Sequence, residues 1–151
     1  MTEARQLLQG MRDAVLEMKT LIERRDALEA SVAGAKTTKT RDPDMNVQHS
    51  RDVSDHMGEV AAEVVDLDTD IRRLRSILEA DRQRARQIIP FLERDERTIV
   101  RLYFLWPMKE TGELRTWQEI EELMHLSHTA VMQRRRKLMA SVDRIIEERG
   151  L

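Results

Sequence analysis

Two stretches of this chain space their apolar residues alternately three and four apart over many turns, a period that a helix can bury along one stripe and a strand cannot. The first stripe is Leu7, Met11, Ala14, Met18, Leu21, Arg25, Leu28 and Val32. The second is Met57, Val60, Val64, Leu67, Ile71, Leu74, Leu78, Asp81, Ala85 and Ile88. Two such helices joined by one connection predict a long antiparallel helical hairpin, coiled-coil-like, and an all-α chain. Each stripe carries one charge, Arg25 or Asp81. Antiparallel pairing sets Arg25 opposite Ile71 or Arg72 rather than Asp81, so both charges are expected at an intermolecular contact or on the helix surface. Gly34 closes the first stripe, and residues 34–56, rich in Thr, Asp and Ser and containing Pro43, predict a long loop.

Composition agrees with long helices: 36% of the 151 residues are charged, and there are only five Gly and three Pro. With no cysteine, neither a disulfide framework nor a thiolate metal site can form. No apolar run approaches the roughly 20 residues needed to span a bilayer. No charged-then-apolar leader opens the chain, so a cytoplasmic protein with no membrane partner is expected. The formal net charge is −2 and neither residues 1–89 nor residues 90–151 are basic, so any electrostatic footprint must come from clustering.

One cluster stands in the last third. Pro90 ends or kinks the second long helix, and Phe91, Leu92, Asp95, Ile99, Leu102 and Tyr103 suit a further amphipathic helix ending near Trp106-Pro107. After a polar turn at Lys109-Glu110-Thr111-Gly112-Glu113, Thr116 and Glu119 form a capping box. Trp117, Ile120, Leu123 and Met124 give the next helix an apolar face, with Trp117 a packing residue. His125-Leu126-Ser127 makes a turn in which Ser127 caps the following helix and Leu126 fills the space between the two. Val131, Leu138 and Val142 continue that core. His128, Thr129, Met132, Gln133 and Arg136 then face outward, as a helix entering a major groove requires. Arg and Gln suit bidentate contacts to guanine and adenine edges. Ser127, Arg134, Arg135 and Lys137 suit phosphates. Four neutralised phosphates imply a log–log salt slope of roughly −3 to −4. His125 stands where a turn favours Gly, and Glu121 where close helix packing favours a small side chain.

Residues 92–142, from LERDERTIVRLYFLW to RTWQEIEELMHLSHTAVMQRRRKLMASV, resemble region 4 of bacterial sigma-70-type factors. The wider pattern, two helices flanking a loop with Val47-Gln48-His49-Ser50 and followed by Val65-Asp66-Leu67-Asp68, is similar to phage late-gene activators of the RinA/ArpU type. The resemblance implies a phage or prophage transcription regulator that binds double-stranded DNA near promoters and assists host RNA polymerase. The expected organisation is a hairpin over 1–89 for oligomerisation or partner contact and a helix-turn-helix domain over 90–151. Since each long helix buries one stripe, a homodimeric bundle is expected. Two other readings stay open: a small terminase-type DNA-packaging subunit, and a coiled-coil adaptor that touches no nucleic acid. A metal site at His49, Asp52, Asp55 and His56 has nothing to organise it. No phosphate-cradling Gly-rich loop or nucleophile elbow occurs, so neither an enzyme nor a cofactor is expected.

Overall fold

The structure, a computed structural model, describes residues 2–38 and 46–151. Helices α1 (Glu3–Thr38) and α2 (Asn46–Ile88) are followed by a 3₁₀ turn over Ile89–Phe91. Then α3 (Arg94–Ile99) runs directly into a π-helical segment, Val100–Leu105, before α4 (Trp117–Met124) and α5 (His128–Arg149). Among the described residues every named element is helical, there is no strand, and a single antiparallel bridge joins Met108 and Leu114.

The loop expected over 34–56 is corrected at both ends, because residues 34–38 and 46–56 are helical. Thr, Asp and Ser are weak helix formers, but propensity is a small term once a long helix propagates through them. Residues 39–45, including Pro43, lie outside the described residues, as do the side chains of His49 and Asp52.

Two compact units form: residues 1–16 with 76–151, and residues 17–75. They do not divide at residue 89, where the hairpin was expected to end. The ends of both long helices belong with the C-terminal helices. The burial pattern records the difference. Within 1–16, Ala4, Leu7, Leu8, Met11, Ala14 and Val15 are all buried, the wide stripe of a helix laid on a globular core. Among the described residues of 17–75, Val60, Leu67 and Ile71 alone are buried, while Met18, Leu21, Leu28, Val32, Met57, Val64 and Leu74 are half-buried. That is the narrow stripe of one helix against another.

In the second unit, Arg25 is partly exposed at the helix surface and takes a charge partner on the other long helix. Its Nη1 lies 2.9 Å from Asp68 Oδ1, and Arg24 pairs with Glu63. Asp68 sits about one turn before the Ile71 expected opposite Arg25. A long guanidinium stem reaches past the apolar seam to a carboxylate on its rim. Asp81 belongs to the first unit, where partial burial pushes its carboxyl above the ordinary range and Arg84 draws it back.

The core of that unit gathers Ile88, Ile89, Leu92, Ile99, Val100, Phe104, Ile120, Val131, Leu138 and Val142. Leu92 is extended, so α3 starts at Arg94 rather than at Phe91, and Phe91 is 43% exposed with the Arg149 guanidinium 3.4 Å above its ring. The wide turns of the π-helical segment allow Tyr103, Phe104 and Leu105 to be buried in succession, and Trp106 N–H closes it onto the Arg101 carbonyl. Its last carbonyls have no helical partner. Arginines supply the donors: Arg115 to Leu102 and Trp106, Arg12 to Tyr103, and Arg82 to Leu105. Arg12 also donates to the Arg115 carbonyl.

Candidate nucleic-acid interface

The segment that presents α4 and α5 is built from local chemistry. Gly112, at φ 87°, and the bond from Lys109 N–H to the Glu113 carbonyl close the polar turn, and Arg115 N–H bonds to the Pro107 carbonyl. Thr116 Oγ1 accepts from Glu119 N–H, and the Glu119 carboxylate accepts from Thr116 N–H, so the capping box forms in full. A bond from Lys109, 2.9 Å away, holds the Glu119 carboxyl below its ordinary range. Trp117 is stacked on Tyr103 with ring centroids 3.8 Å apart. Arg12 lies over the far face of the stack and Arg135 over the indole, 5.0 Å from its centroid. This four-layer stack ties α1, the π-helical segment, α4 and α5 together through ring quadrupoles and cations.

The turn between α4 and α5 is tight. His125 takes the left-handed conformation, φ 55°, that a helix C-terminus favours with Gly, and Leu126 N–H returns to the Glu121 carbonyl. Ser127 caps α5 by accepting from Ala130 N–H at 3.2 Å. Ile120 and Val131 are fully buried between the two helices and Leu126 is half-buried. Leu123 departs from the expected apolar face: it is 56% exposed, since α4 is only eight residues long and packs through Ile120 and Met124. Glu121, in place of a small side chain, reaches His128 Nδ1 at the start of α5, and a carboxylate is favourable at a helix N-terminus.

The helix distributes the anticipated contact residues unevenly. Successive residues lie about 100° apart around a helix, so Arg134-Arg135-Arg136-Lys137 cannot form one patch. Arg134 turns to Asp95 and Lys137 to Glu93, 3.0 Å away, both acids at the start of α3. Arg135 covers Trp117. Arg136 is exposed and has no ion-pair partner among the described residues. Thr129 and Gln133 share its outward face, Met132 is half-buried beside it, and His128 is exposed but engaged by Glu121. Ser127 is occupied as a cap. Thus Thr129, Gln133 and Arg136 come together on a free face, while Arg134 and Lys137 are drawn away from it.

Behind that face, Glu96 of α3 is 2% exposed, and neither carboxylate oxygen closes a hydrogen bond. Burial raises its carboxyl above the ordinary carboxylate range and the charge of Glu93 adds to this, while the nearby Ser141 hydroxyl, Lys137 and Arg144 act in the opposite sense. Nothing in the sequence marks Glu96 among 28 acidic residues.

Among the described residues no helix is long and apolar enough to cross a membrane. No family model, curated protein or solved structure matches this chain.

Proposed function

We propose that this chain is a sequence-specific DNA-binding transcription regulator of phage or prophage type, working in the bacterial cytoplasm, with α4 and α5 as a helix-turn-helix and α5 as the reading helix. The observation that carries the reading is the capped, tightly turned α4–α5 pair, whose outward face offers Thr129, Gln133 and Arg136, which are exposed and have no ion-pair partner among the described residues. Gln and Arg at successive outward positions suit adenine and guanine edges. The resemblance of residues 92–142 to sigma region 4 points the same way and suggests an activator acting beside host RNA polymerase. The long helices form a hairpin that dimerises or meets polymerase. Their half-buried seam in 17–75 supports this, because apolar residues left partly in water gain by further burial against a second copy. A monomer in sedimentation at micromolar concentration would remove the dimer.

The test is fluorescence anisotropy on DNA from the protein's own gene neighbourhood, titrated with salt. Two cations of the run are internally paired, so the salt slope it contributes is about −2 rather than the roughly −3 to −4 read from the sequence. Replacing Arg135 and Arg136 by Ala abolishes binding, whereas replacing Arg134 and Lys137 leaves the slope near that of the parent. Absence of binding by the parent at low salt refutes the proposal. It would favour the coiled-coil adaptor, a reading that the pairing of Arg134 and Lys137 with α3 supports.

A further inference from the structure

Arg135 and Arg136 are not alone on their side of α5. With Met132 and Met139 they line one wall of an open groove of about 550 Å³, and Thr2 and Arg5 from the start of α1 line the other. Residues 132, 135, 136 and 139 repeat at i, i+3, i+4 and i+7, so they form one helix face. That face adjoins the outward positions Thr129 and Gln133. The first turn of α1 is held in place beside it, since Ala4 N–H donates to Asp143 Oδ1 of α5 at 2.8 Å and the Ala4 side chain is fully buried. Arg5, like Arg136, is exposed and has no ion-pair partner among the described residues. Glu93 and Asp95, the acids that pair with the cation run, are engaged on the opposite flank of α5 by Lys137 and Arg134. The groove therefore concentrates three guanidinium groups and no carboxylate, in a chain whose overall charge is negative.

We infer that Arg5, from the opposite end of the sequence, completes the phosphate-gripping surface of α5, and that the phosphodiester backbone of duplex DNA lies along the groove between Arg5 and the Arg135–Arg136 pair. The inference rests on the DNA-binding reading above and adds a partner residue to it. Guanidinium forks match phosphate oxygens in pairs, and spacing them on two helices follows a backbone rather than a single anion. Methionine stems on the groove wall adapt to the sugar edge. Such contacts set register and affinity without reading bases.

The experiment is anisotropy of a fluorescein-labelled duplex of mixed sequence and of the gene-neighbourhood duplex, titrated with salt. Four proteins are compared: the parent, Arg5→Ala, Arg5→Lys and Arg135→Ala/Arg136→Ala, with circular dichroism confirming that each is folded. One phosphate contact contributes about 0.9 to the log–log slope, which is roughly eight-fold in affinity at 0.1 M salt relative to 1 M. Arg5→Ala is expected to reduce the slope by about 1 and to weaken both duplexes equally, and Arg5→Lys to restore the slope. An unchanged slope for Arg5→Ala, with binding lost in the double variant, overturns the role of Arg5 and leaves the DNA-binding reading standing. A loss confined to one sequence overturns the assignment to phosphate. No binding by the folded parent at low salt overturns both.

Discussion

Arg12 gives the sharpest test of how the C-terminal unit is held. Its Nη1 donates to the Tyr103 carbonyl at 3.0 Å, its Nη2 to the Arg115 carbonyl at 2.7 Å, and its guanidinium carbon lies 3.8 Å from the Tyr103 ring centroid. A hydrogen bond to a charged group contributes about 1.5–3 kcal/mol, and a partly exposed cation–π contact about 0.5–1 kcal/mol. The side chain is half-buried, so water replaces part of what is lost. Taking the low end of each range for the two hydrogen bonds and the cation–π contact, Arg12→Ala should destabilise the protein by about 3.5 kcal/mol, or roughly 7–14 °C in Tm. Arg12→Lys keeps the charge but lacks the planar fork that spans two carbonyls, and should lose about half as much. Both tryptophans, Trp106 and Trp117, lie in the same compact unit as Arg12, so their fluorescence during urea unfolding reports on it directly. A lysine variant with the parent's midpoint would refute the bidentate argument, and an alanine loss below about 1 kcal/mol would refute the role of the arginine as a carbonyl cap.

Glu96→Met should stabilise the protein by about 1–3 kcal/mol at pH 7, because it removes a buried carboxyl whose charged form is disfavoured by desolvation and by the Glu93 charge. The folded carboxyl titrates above its unfolded counterpart, so the native state binds the extra proton between the two values. Parental stability therefore falls as pH rises through that window, and a Met variant with the same pH slope in denaturant melts would contradict this. At His125, φ 55° favours Gly: His125→Gly should gain about 0.5 kcal/mol and His125→Val lose about 1–2 kcal/mol, with equal melting of the two variants arguing against a left-handed cap. Thr116→Ala should cost about 1 kcal/mol by removing the cap of α4, and thermal melts of Thr116→Ser, which retains the hydroxyl, should stay near the parent.

Two kinds of information separate in this molecule. Local periodicity and local capping were legible from the chain, since they involve residues within a turn or two of each other. The seam positions Leu7, Met11, Ala14, Val60, Leu67, Ile71, Leu78, Ala85 and Ile88 are buried as expected, the Thr116–Glu119 box closes, and Ser127 caps α5. The loop expected over 34–56 is wrong at its two ends, 34–38 and 46–56, because polar composition is a weak guide inside a long helix. The fate of the charges was illegible for a different reason. By residue type Arg136 suits base edges and Arg134, Arg135 and Lys137 suit phosphates, but a helix fans the four about 100° apart, and which become neutralised depends on Glu93 and Asp95 of α3, some forty positions away. Likewise, Arg12, Arg82 and Arg115 are ordinary arginines in the sequence and become carbonyl caps only where α1, α2 and the segment before α4 converge on the end of the π-helical segment. Which residues could be helical and apolar is a matter of spacing along one chain, and is written there. Tertiary structure alone decided which charges remain free, because a Coulombic or hydrogen-bonded partner is chosen by distance in space.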